Sequence, residues 1–179
     1  MKIILLIFLT LSLYGNKTEM LHLFQNKKYE EVCNIGFENF SSNQKDEEFI
    51  SLYAFGCLHS DYIDRLAIPV AMLKFSKEAR ANSAYFSIIL MQKKLLLHAM
   101  SDGYNLSSLD LPTTDYILSK VFDLYSKLGE HMPRTLYMFE DIDNPKITYK
   151  LYLEQDEKLN KIIIEEFYDT ISVKRHIYW

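Results

Sequence analysis

The side chains best equipped for chemistry in this 179-residue chain are two cysteines and five histidines. His22, His59, His98, His131 and His176 are scattered. None falls in a HExxH arrangement or beside a CxxC pair, so the spacings that gather metal ligands are missing. His98 and Asp102 stand four apart and can meet on one helix, as a histidine near a helix C-terminus does with no catalytic purpose. Cys57 and His59 are two apart and point to different sides of a helix. Asp141 and Asp143 open like a calcium loop, but Pro145 falls at its fifth position and Tyr152 at its twelfth, where ligands are required. Glu165 and Glu166 are adjacent, hence on opposite faces of a strand. There is no G-x-S-x-G elbow and no Walker-type loop. The residue types therefore nominate no catalytic side chain, no cofactor-binding residue, no cofactor and no metal ligand.

Cys33 and Cys57 remain as a candidate disulfide. Both fall on the inward faces of consecutive helices joined near Asn43 and Gln44. Measured from that turn, Cys57 lies about one helical turn, ~5 Å, beyond the level of Cys33. A bridge forms if the Cα atoms come within about 7 Å. The alternative is a pair of small buried thiols.

Compartment bears on that choice. Lys2 supplies a positive n-region, Ile3 to Leu13 an apolar run, and Gly15 a small residue at a cleavage point, with Leu13 an unusually large side chain at −3. This is the anatomy of a signal peptide over 1–15. The run is shorter than the roughly 20 residues of a membrane helix. The expectation is a periplasmic or secreted protein cleaved after Gly15, with no transmembrane span in the mature chain, in a setting where cysteines pair. The net charge of −4 leaves no electrostatic footprint for nucleic acid. The 16 Lys and 4 Arg are dispersed, and only 5 Gly are present, too few for phosphate-cradling loops.

Apolar periodicity supplies the elements. Met20, Leu21, Leu23 and Phe24 open a first short helix, ended at Asn26. Tyr29, Val32, Cys33, Gly36, Phe37 and Phe40 form one continuous helical face. Asp46, Glu47 and Glu48 start a third helix, whose face is Phe49, Leu52, Tyr53, Gly56 and Cys57. A fourth is predicted from Tyr62 to about Ser76, with Pro69 kinking it or marking its first turn. A fifth runs from Lys77 to Ser101 and ends at Gly103. A sixth carries Ile117, Leu118, Val121, Leu124, Tyr125 and Leu128. After Met132 and Pro133 the period falls to two. Strands are predicted over 135–140, 147–154 and 171–179. Residues 161–168 fit either strand or helix, and their β-branched content favours strand. The fold class is α+β: about six helices in antiparallel hairpins over 16–130, then a small antiparallel sheet over 131–179.

Two stretches stand out, Lys27-Lys28-Tyr29-Glu30-Glu31-Val32 and Ser60-Asp61-Tyr62-Ile63-Asp64-Arg65. Tyr29 and Tyr62 lie 33 apart, each leading a helix. The segment from Phe24 to Phe40 resembles the helical hairpin of tetratricopeptide and Sel1-like repeats, whose period is close to 34. Lys27 stands where that family favours glycine, Val32 where it has alanine, and Arg65 falls on the alanine position of the second copy. The resemblance spans about residues 18–76. It implies stacked hairpins and a protein or peptide partner.

The expected function is therefore an exported, non-catalytic protein-interaction or scaffold protein of the bacterial cell envelope. The alternative is an envelope enzyme or small-ligand-binding protein with a pocket between helices and sheet near 130–134.

Overall fold

The computed structural model describes residues 16–156 and 159–179, with the side chain of Asp156 left aside. The segment read as a signal peptide, 1–15, lies outside the described residues. The chain forms two compact units, one ending at Ser87 and the other running from Ile88 to Trp179.

The first unit is helical. Helix α1 covers 16–25, α2 is Tyr29–Asn39 and is followed by a 3-10 turn at Phe40–Ser42, and α3 is Glu47–His59. A second 3-10 turn, Ile63–Leu66, leads into α4, Ala67–Met72, and α5 begins at Lys77 and continues to Asp102 in the second unit. Asp46 caps α3, its carboxylate accepting from the amides of Glu48 at 3.1 Å and Phe49 at 3.0 Å. The first-turn glutamates add charge that suits a helix N-terminus.

Helices α2 and α3 approach closely because each presents a glycine to the other. A Cβ on Gly36 would lie 2.5 Å from the Tyr53 side chain, and one on Gly56 would lie 2.7 Å from Val32 and 3.0 Å from the Cys33 amide nitrogen. This brings the Cα atoms of Cys33 and Cys57 to 4.6 Å, and the two sulfurs are bonded. Both cysteines are fully buried with Val32, Phe49, Ile50, Tyr53 and Leu58.

The fourth helix is shorter than its apolar pattern predicts. Pro69 sits buried in the first turn of α4, where its missing N–H costs nothing. The chain then turns extended at Leu73, and Ser76 caps α5 by accepting from the Ala79 amide at 3.0 Å. Between them, the Glu47 carboxylate accepts from the amides of Lys74 at 2.8 Å, Phe75 at 2.7 Å and Ser76 at 2.8 Å. Those three bonds, together with the helix-breaking conformation of Leu73, divide what the sequence presents as one segment.

In the second unit, the C-terminal part of α5 ends at Gly103, whose φ of 72° closes the helix. Helix α6 is Ile117–Ser126, and the strands are β1 Tyr137–Glu140, β2 Ile147–Asp156, β3 Leu159–Tyr168 and β4 Ile171–Tyr178. They form an antiparallel sheet in the order β1-β2-β3-β4. Residues 161–168 are strand, paired along their length with β2. One face gathers Tyr137, Tyr149, Leu151, Ile162, Ile164 and Tyr178 into the core. Lys93, buried on α5, donates to the backbone oxygen of Trp179. The architecture is α+β, with six α-helices followed by four antiparallel strands among the described residues. None of those helices is long and apolar enough to cross a membrane.

Candidate protein-binding surface

The two tyrosine-led turns share one backbone geometry, in a register that the tyrosines do not mark. Lys27 and Asp61 both adopt left-handed φ, 59° and 64°. Lys28 and Tyr62 follow at φ −84°, ψ 58° and φ −81°, ψ 58°. The Lys27 amide donates to Phe24 and the Lys28 amide to Leu23; the Asp61 amide donates to Leu58 and the Tyr62 amide to Cys57. Each is a Schellman closure of the preceding helix, formed by residues with a side chain where glycine is usual. Every partner is displaced by 34 positions, so Tyr29 matches Ile63 and Val32 matches Leu66. Val32 and Leu66 are both fully buried. Arg65, which the tyrosine alignment places in a packed position, is thereby freed from it.

At the first turn, Tyr29 stacks on His59 with ring centroids 4.6 Å apart, and Phe24 meets Tyr29 edge-on at 5.1 Å. At the second, the Arg65 guanidinium lies over the Phe37 and Tyr62 rings, 4.8 Å from each centroid. Its Nη1 donates to Asn34 Oδ1 at 2.8 Å and to Cys33 Sγ at 3.3 Å. The Tyr62 hydroxyl donates to Glu30 at 2.7 Å, and that bond, with burial, raises its pKa. Phe37 belongs to the apolar face of α2 by spacing, yet it is 52% exposed. Close approach of α2 and α3 through their glycines leaves the interface filled by Val32, Cys33 and Gly36. Phe37 turns outward under the arginine.

A second exposed aromatic is held rigidly. Phe75 is 74% exposed, while Glu47 binds the amides of its loop and the Arg80 guanidinium binds the carbonyls of Lys74 and Phe75. Three amides on one carboxylate, that of Phe75 foremost, hold Glu47 down to a pKa of about 2. Beside it is an open groove of about 910 Å³. Lys17 at its edge bridges Asp46 and Glu48 at 2.9 Å each.

The remaining sequence candidates fall elsewhere. His98 and Asp102 reach 4.0 Å on an exposed face of α5, where His98 also stacks on Tyr104. Asp141 closes a turn: Oδ1 accepts from the Asp143 and Asn144 amides, and Oδ2 from the Tyr149 hydroxyl at 2.5 Å. The Tyr149 bond is the chief reason its carboxyl stays below the ordinary range. Glu165 accepts from Tyr152 at 2.9 Å and lies 3.7 Å from Arg175, an ion-pair network on the sheet's outer face. Among the described residues, no three of His, Cys, Asp and Glu converge as metal ligands.

Near the helix-to-strand change, a pocket of about 140 Å³ is lined by Tyr104, Asn105, Ser126, Glu130 and His131. His131 is oriented by contacts of Nδ1 with the Gly129 carbonyl at 2.8 Å and of Nε2 with the Tyr137 hydroxyl at 3.2 Å.

Sequence reasoning missed the Phe37–Arg65–Tyr62 stack and the clamped Phe75. A signal for the first was present. Arg65 is a charged side chain at a position that the tyrosine alignment makes a packed one, and the turns themselves align one residue away.

The chain matches no family model, no curated protein and no solved structure.

Proposed function

We propose that this chain is an exported, non-catalytic interaction module of the bacterial cell envelope, built on tetratricopeptide-like hairpins, that engages a protein or peptide partner through the surface around Arg65. The observation that carries this reading is the arginine held over Phe37 and Tyr62. Arginine and aromatic side chains dominate the energetics of protein interfaces. Side chains already held in place lose less freedom when a partner docks. The recurrence of one turn at a 34-residue displacement supports the hairpin assignment. Export is supported by the signal-like start and by the disulfide, which persists in oxidising compartments.

The test is photo-cross-linking in the producing cell, with a photoreactive residue at position 37 and a control at Lys146. A discrete adduct from position 37 alone is expected. No adduct, or the same adducts from both positions, overturns the reading. Recovery of the protein from the cytosolic fraction with Met1 intact would overturn export.

A second reading, a small-ligand-binding or catalytic envelope protein, rests on the polar pocket beside His131. Its test is a screen of small polar compounds followed at the His131 ring by NMR. No response at millimolar concentration removes it.

A further inference from the structure

The chemistry left over at Arg65 specifies what the partner brings. A guanidinium has five N–H donors. Nη1 spends its two on Asn34 and Cys33. The Nε–H and the two N–H of Nη2 find no acceptor among the described residues. The nearby Glu30 carboxylate is instead engaged by the Tyr62 hydroxyl at 2.7 Å. The Nε and Nη2 donors form the edge that pairs with the two oxygens of a carboxylate.

We infer that Arg65 receives an aspartate or glutamate side chain of the partner, in a peptide whose neighbouring apolar residue covers Phe37. This rests on the protein-binding reading of the same surface. Three features favour it. The arginine is half-buried, so its charge is less screened than that of a surface lysine. Its plane is set by two rings and by Asn34, so one geometry is presented. Phe37, beside it and 52% exposed, offers apolar surface. A dianionic phosphate fits less well, because Glu30 borders the site and Arg65 is a single cation in a chain of net charge −4.

The test uses the full mature chain and a blocked pentapeptide bearing one aspartate between two phenylalanines. Its asparagine counterpart and inorganic phosphate serve as controls. The Arg65 Nε–H resonance is expected to shift saturably, with a dissociation constant of about 1 mM. The asparagine peptide and the Arg65→Gln variant should each weaken binding tenfold or more, roughly the loss of one bidentate charge-assisted pair. Phe37→Ala should weaken it several-fold with the arginine retained, which keeps the test decisive if Arg65→Gln fails to fold. Equal binding of the two peptides, no movement of the Arg65 signal, or tighter binding of phosphate overturns the inference. If the cross-link from position 37 persists while the acidic peptide fails to bind, the protein-binding reading stands and the carboxylate assignment falls. If the acidic peptide binds with no cross-link in cells, the carboxylate site stands and the cellular role falls.

Discussion

Lys28 and Tyr62 share one backbone conformation, φ −84°, ψ 58° and φ −81°, ψ 58°, each closing a helix through its amide. That relationship sets a 34-residue displacement between the two turns. It pairs the buried Val32 with Leu66 and leaves Arg65 at the surface beside Phe37.

The first prediction concerns the glycines between α2 and α3. A methyl group on Gly36 would meet Tyr53 at 2.5 Å, and one on Gly56 would meet Val32 at 2.7 Å and backbone at 3.0 Å. Overpacking of this kind costs about 1–3 kcal/mol. Gly36→Ala and Gly56→Ala should each lower stability by that order in urea denaturation. Gly36→Ala should be the worse, because the Tyr53 Cβ it would meet at 2.5 Å is fixed to the α3 backbone and cannot rotate away. Wild-type stability in both would show that the helices separate freely.

The bond between Cys33 and Cys57 closes a loop of sequence separation 24. Loops of that size confine the unfolded chain enough to contribute about 3 kcal/mol. Replacing both cysteines by serine should lower the denaturation midpoint accordingly, and unreduced protein in denaturant should show no reactive thiol. Two reactive thiols there would refute the bridge.

Glu47 supplies a pH-dependent contact. Its pKa is held down to about 2 by the Phe75, Lys74 and Ser76 amides. A group whose folded pKa is depressed contributes stability above its unfolded value and loses it as pH falls through the folded one. The clamp on residues 74–76 should therefore be intact at pH 5 and release near pH 2. NMR titration should place the midpoint of the Phe75 amide shift near 2, and Glu47→Gln should abolish that transition. A midpoint at an ordinary glutamate value would contradict the geometry.

Asp141 accepts from the Tyr149 hydroxyl and from two turn amides, with Lys120 at 3.6 Å. Asp141→Ala leaves the buried Tyr149 hydroxyl and those amides without their acceptor, a loss of about 1–3 kcal/mol. Because the Asp141 pKa is lowered, its contribution is present above the ordinary aspartate range and lost on acidification. The gap between wild type and variant in thermal melts should be full at pH 6 and narrow as pH falls below the ordinary aspartate range. A constant gap would show that the carboxylate charge is irrelevant.

Local periodicity determined much of this protein. The inward faces of α2 and α3, with their glycines and cysteines, follow from apolar spacing. So does the change to period two after Pro133, and the run from Ile162 to Ile164 made β3 the better reading of its segment. These are properties of neighbours along the chain, whose geometry one helix or strand imposes. Tertiary structure decided the rest. Lys27 and Asp61 take left-handed turns that glycine would have advertised, so the 34-residue register was hidden behind tyrosines 33 apart. Phe37 faces outward, and Glu47 breaks the predicted fourth helix by capturing amides 27 to 29 positions away. Arg65 reaches Asn34 across 31. Such contacts depend on how closely two helices approach, and here two missing Cβ atoms set that distance, so the Phe37–Arg65–Tyr62 stack exists only once α2 and α3 have packed.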